Sequence, residues 1–169
     1  MTQGAKDVLA LLEREGVRCE LVHHGAAHTI EELNALGIEG AADVAKNLFL
    51  RDDKRREYYL VTVRQDKRVD LKALRRALGS RPLRFASDAE LTELLGLEPG
   101  AVTPLGALND AEHRARVVLD RDFMGRRIGV HLRENTETVF LAAEALAGVL
   151  NGQGCRVEWA EIGQREEFL

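Results

Sequence analysis

Two runs of β-forming residues, Asn47–Arg51 (NLFLR) and Tyr58–Val63 (YYLVTV), flank the six-residue charged segment DDKRRE. Aromatic and branched side chains suit a pleated, half-buried surface, and a charged insert suits a turn in water. The pattern predicts a β-hairpin, and the segments around it fit no regular βαβ alternation. Val8, Leu9, Leu11 and Leu12 recur at helical spacing ahead of Gly16, which predicts a helix over 5–15. VRCELV alternates as a strand over 17–22. Thr29 and Glu32 form a T-x-x-E capping box that opens a short helix ending at Gly37. Asp70 caps a helix to Leu78 that puts Leu71, Leu74 and Leu78 on one face, with Gly79 as its stop. Ser87 and Glu90 form a second capping box ahead of a helix over 88–95. GLEPGAVTPLG (96–106) reads as a structured loop. Arg116–Leu119 and Ile128–Leu132 read as strands. Thr138–Leu141 reads as a strand or as the start of the helix that ends near Asn151. Val157–Ile162 is a last short strand. Helices and strands in this irregular order favour an α+β fold with a mixed sheet over a doubly wound parallel one. Without a repeat, low-complexity segment or linker, 1–169 is read as a single domain.

At 169 residues the chain buries about 70% of its unfolded surface, enough for a core without staples. Hydrophobic residues are 45% and charged ones 31%, which excludes disorder and collagen-like repeats. No apolar run approaches the roughly 18 residues of a membrane span, and the acids within MTQGAKDVLALLEREG exclude a signal peptide. Cys19 and Cys155 could form one bridge at most and have no metal-ligand spacing. The expectation is a reduced, cytoplasmic protein.

Net charge is −4, yet residues 46–84 hold 13 Lys/Arg against 5 Asp/Glu, while the flanks hold 11 against 23. Such asymmetry lets an acidic protein offer a basic face to a phosphate backbone; equally, it describes a solvated helix and hairpin. Arg51, Lys54, Arg55, Arg56, Lys72, Arg75 and Arg76 are the candidate contacts.

The chain has no phosphate loop, dinucleotide fingerprint, H-E-x-x-H or G-x-S-x-G motif. His23, His24 and His28 share a loop without cysteine or a paired carboxylate, so no metal site and no cofactor are expected. Three features remain. Lys46-Asn47 heads the first hairpin strand. It reads either as a solvated edge or as an ammonium for a phosphate beside an amide for an amine or carbonyl. Gly100, Ala101, Val102, Thr103 and Pro104 form either a tight turn or a row of backbone donors able to polarise an ester carbonyl. His131 closes a β-run ahead of Asn135, and is either structural or an acid/base at neutral pH.

These segments together resemble the YbaK/ProX superfamily of aminoacyl-tRNA editing domains, closest to the free-standing alanyl-tRNA(Pro) deacylases. The resemblance rests on AKNLFLRDDKRREYYLV (45–61), LRFASDAELTELLGLEPGAVTPLGALND (83–110), VVLD (117–120) and HLRENTETVFL (131–141), with HHGAAHTIEEL similar to the family's N-terminal region. It implies a compact mixed α/β fold with a central barrel-like sheet flanked by helices. It also implies metal-free hydrolysis, in trans, of alanine mischarged onto proline tRNA. Lys46 looks like the essential lysine at the terminal phosphates. Asn47 resembles the neighbour that helps hold the aminoacyl group. Gly100 to Pro104 resembles the loop that positions the ester carbonyl, and His131 the active-site histidine. The implied partners are mischarged tRNA and prolyl-tRNA synthetase, with the chain a monomer or homodimer. Leu132 stands where the family has proline after the histidine. Gly25 and His28 stand where it has proline and an aromatic. These departures bear on pocket shape, and hence on which amino acid is removed. Rival readings are a deacylase for cysteinyl, seryl or threonyl esters, and a non-catalytic RNA-binding module.

Overall fold

The computed structural model describes residues 1–25, 35 and 40–165. The capping box of Thr29 and Glu32, the helix to Gly37, and His28 lie outside them. The elements run α1 (Gln3–Arg14), β1 (Cys19–His23), β2 (Ala45–Asp52), β3 (Tyr58–Arg64), α2 (Leu71–Leu78), β4 (Leu83–Phe85), α3 (Asp88–Leu95), β5 (Ala115–Asp120), β6 (Arg127–His131), β7 (Glu137–Ala142), α4 (Ala143–Gly152) and β8 (Arg156–Ala160). The α+β class expected from the sequence is what the structure has, and its strands divide between two sheets. A five-stranded mixed sheet has the order β4-β2-β3-β5-β8, and a three-stranded antiparallel sheet the order β1-β7-β6. An isolated bridge between Val44 and Gly129 joins them.

The hairpin is present as β2 and β3, with Asn47 opposite Thr62 and Lys46 opposite Val63. β3 continues into the sheet by parallel pairing with β5, which itself pairs in parallel with β8. A central strand is covered on both faces, which is why YYLVTV is apolar almost throughout. Its alternation sorts the core. Tyr58 and Leu60 enter the main cluster with Phe49, Val117 and Leu119, together with residues of α1, α3, α4 and the three-stranded sheet. Tyr59, Val61 and Val63 face the other way, against Leu74 of α2, Val118 and Ile162.

Caps act as the sequence implied. The Asp70 carboxylate accepts from the N–H groups of Lys72 and Ala73, and Ser87 with Glu90 closes a reciprocal capping box. Thr138–Leu141 resolves as strand β7, and α4 begins directly after it. β4 was not expected. Three residues after a proline carry little strand signal, and they pair because Leu50–Asp52 of β2 leaves an edge open. No described helix is long and apolar enough to cross a membrane.

Candidate functional site

A strand sends successive side chains to opposite faces, so neighbours in sequence part company in space. Lys46 and Asn47 show this. Asn47 faces the main core. Its Oδ1 accepts the Thr62 hydroxyl at 2.7 Å, and its Nδ2 donates to the Val102 carbonyl at 3.0 Å. Thr62 is fully buried, so the amide is held by a partner that has no water to turn to.

The Val102 loop is fastened at several points. Gly100 is exposed and left-handed (φ 85°), and the Ala101 N–H returns to Glu98 O at 3.1 Å. Thr103 is fully buried; its hydroxyl donates to the His131 carbonyl at 2.6 Å and accepts from the Leu105 N–H at 3.3 Å. Pro104 opens a short 3-10 turn over Pro104–Asn109. The Ala101 donor is thus spent in a turn and Pro104 has none. Among the described residues, the N–H groups of Val102 and Thr103 have no acceptor. The loop thus has a tight turn at 98–101, and of its two N–H groups without an acceptor only that of Val102 belongs to a residue with exposed surface, since Thr103 is fully buried.

His131 ends β6 half-buried, and its backbone is tied to the loop through Thr103. Its Nδ1 lies 3.5 Å from the hydroxyl of buried Thr138, the residue opposite it on β7. The same hydroxyl is 2.9 Å from His24 Nε2, and His24 Nδ1 is 2.7 Å from Gly25 O. Two histidines from distant parts of the chain thus share one hydroxyl, with ring centroids 6.2 Å apart. Sequence reasoning considered His24 only as a metal ligand and missed Thr138, whose place in ETVFL carries no local signal for it. Asn135 lies in the β6–β7 connection. His23 Nδ1 sits 3.2 Å from buried Glu137 Oε1. Among the described residues no group of histidine, cysteine and carboxylate could hold a metal ion.

Lys46 is half-buried on the opposite side of β2, and its Nζ donates to the backbone carbonyl of Lys67. Burial pulls the ammonium below the usual lysine range, with Asp66 opposing and Arg68 assisting. The lysine is therefore not a freely solvated edge residue.

The seven basic candidates do not share its surroundings. Arg51 is committed within the fold: its guanidinium donates to Asp52 O at 2.9 Å and lies 3.7 Å from Glu90, with only 14% of the side chain exposed. Lys54, Arg55 and Arg56 are exposed at the hairpin turn, about 25 Å along β2 from Lys46 at the strand rise. Lys72, Arg75 and Arg76 are exposed on α2, as its periodicity predicted. Cys19 is exposed and Cys155 buried, and neither is in a disulfide. Burial pushes both thiols up.

The family of the aminoacyl-tRNA editing domain matches residues 24–149, a span that includes β2, the 100–104 loop, His131 and Thr138. A prolyl-tRNA editing protein ProX from Acetoanaerobium sticklandii is 40% identical over 148 residues, 87% of this chain and 90% of that protein. Prolyl-tRNA synthetase associated domain-containing protein 1 from Danio rerio is 35% identical over 134 residues, 79% of this chain and 72% of its own. A crystal structure proposed to be of a trans-editing enzyme for prolyl tRNA synthetase superposes with a TM-score of 0.70 at 26% identity, covering 96% of this chain and 99% of that one. The chain belongs to the aminoacyl-tRNA editing domain family.

Proposed function

We propose that this protein is a hydrolase that removes alanine from mischarged tRNA(Pro) in trans, one cytoplasmic domain acting without metal or cofactor. The observation that carries the reading is the double fastening of the 102–103 segment, by Asn47 at Val102 O and by Thr103 at His131 O. A loop held at both ends presents preorganised N–H donors, and such donors lower a barrier because they need no reorganisation when charge develops. In this reading the Val102 N–H receives the ester oxyanion, and Gly100, free in φ, shapes the turn that presents it. The Asn47 amide keeps a second N–H for the aminoacyl group. Lys46 meets the terminal phosphates. His131 lines the pocket with its orientation set by Thr138. Water attacks the carbonyl, assisted by the vicinal ribose hydroxyl.

Rejection of prolyl esters is steric, since a pocket sized for alanine excludes a ring far better than it discriminates one methylene. Exposed Lys54, Arg55, Arg56, Lys72, Arg75 and Arg76 serve the tRNA body, with Arg51 supporting the fold beside them. Prolyl-tRNA synthetase is the partner that would hand over the substrate. The test is alanine release from Ala-tRNA(Pro), with Pro-tRNA(Pro) alongside, in EDTA. Fast release of alanine alone supports the reading. Release of cysteine, serine or threonine instead moves the substrate. Binding without any release leaves an RNA-binding module.

A further inference from the structure

Lys67 is the single buried lysine among the described residues, 8% exposed. Its Nζ lies 2.6 Å from Asp120 Oδ2 at the end of β5 and 2.9 Å from Asp122 Oδ2 just beyond. It also donates to Ile162 O at 2.9 Å. Asp120 is 1% exposed, and its other oxygen accepts the Asp122 N–H at 3.0 Å. Buried ion pairs of this kind contribute little net stability compared with an apolar replacement of similar volume, so a role in placing something is the better account. What they place is the carbonyl of Lys67, the acceptor for Lys46 Nζ. The surrounding turn is held at other points too, by Asp70 N–H to Gly163 O and Arg165 N–H to Arg68 O.

We infer that Lys67 and Asp120 are positioning residues. Their buried ion pair anchors the β3–α2 turn so that the Lys67 carbonyl holds the Lys46 ammonium where a tRNA phosphate is met. The inference rests on the role proposed for Lys46. It makes a prediction of unusual sign. Removing a carboxylate from an RNA-binding protein should tighten binding through simple electrostatics, yet Asp120→Asn should weaken it, because the lysine that meets the phosphate is no longer held.

The experiment measures binding of an uncharged tRNA(Pro) transcript by the full chain across a salt series, for wild type, Lys46→Ala, Asp120→Asn and the double variant. Lys67→Met/Asp120→Leu is included because it fills the same volume and keeps the fold if Asp120→Asn does not. Expected are a loss of about tenfold and a salt slope smaller by about 1 for Lys46→Ala, the signature of one lost phosphate contact. Asp120→Asn and Lys67→Met/Asp120→Leu should weaken binding in the same direction, and Asp120→Asn should add nothing on the Lys46→Ala background. Tighter or unchanged binding in the Asp120 variants, or a loss that adds to that of Lys46→Ala, overturns the positioning role while Lys46 keeps its own. Unchanged binding in Lys46→Ala overturns both.

Discussion

The two sides of β2 hold the candidate groups by different means. On the Asn47 side, neutral groups do it: an amide, two buried threonine hydroxyls and two backbone carbonyls join β2, β3, the 102–104 loop and the end of β6. On the Lys46 side a cation rests on a carbonyl whose own residue is locked by buried charge. Neutral hydrogen bonds in a dry interior fix geometry to tenths of an ångström without drawing in water. That suits a site that must meet a carbonyl. A charged partner for a phosphate needs less angular precision but must stay ionised and close to solvent, which half-burial at the head of a strand allows. Adjacency in sequence here means opposite faces and different partners.

Lys46→Ala is the sharpest way to break the comparison. It should reduce deacylation about a hundredfold, because an acceptor end no longer held at its phosphate leaves the ester out of register with the loop. The unfolding midpoint should move by less than about 3 °C, because the side chain leaves no buried hydroxyl unpaired. Single-turnover alanine release paired with thermal melts checks this. Asn47→Ala should act on both quantities. It leaves the buried Thr62 hydroxyl without its acceptor and the Val102 carbonyl without its donor, costing about 1–3 kcal/mol and lowering the midpoint by roughly 3–10 °C, with activity falling alongside. An Asn47→Ala protein with full stability would show that the neutral network is not what holds the loop.

Thr103→Val conserves shape and removes one hydroxyl, so it should cost about 1–2 kcal/mol. Its main effect should be on kcat, with tRNA binding unchanged, because it loosens the loop and leaves Lys46 alone. Glu90 provides the smallest test, far from both groups. Burial pushes its carboxyl up, but the Ser87 N–H, the Tyr58 hydroxyl and Arg51 outweigh that and hold it below the usual glutamate range. A depressed folded value means its stabilisation is present above the ordinary glutamate pKa and is lost as pH falls through the depressed one. Glu90→Gln should therefore flatten the acid limb of stability against pH, by about 1 kcal/mol at most, with deacylation at neutral pH unchanged. Urea melts between pH 3 and pH 7, a range about the glutamate value, measure it.

Local physics made much of this legible in advance. The hairpin, the helices of Asp70 and Ser87 and the glycine stops follow from side chains within a few residues of each other, and the structure has them where the pattern put them. Lys46, Asn47 and the 100–104 loop stood out for the same reason. Tertiary pairing decided what lay beyond that reach. β4 exists because β2 had a vacant edge. Arg51, one of seven similar-looking cations, is set apart by a glutamate 39 positions away whose first duty is a helix cap. Thr138 became the link between His24 and His131 only when β7 settled between β1 and β6.

What the sequence determined by itself is the list of elements and the chemical groups they carry, because periodicity, caps and turns are short-range properties of the chain. The tertiary structure alone decided the facing: which side of β2 each neighbour looks toward, which carbonyl each donor meets, and that Lys67, apparently one more residue of a basic stretch, is buried between two aspartates. Facing depends on register and on which strand lies alongside, and those are settled by contacts between residues tens to a hundred positions apart, where no local pattern reaches.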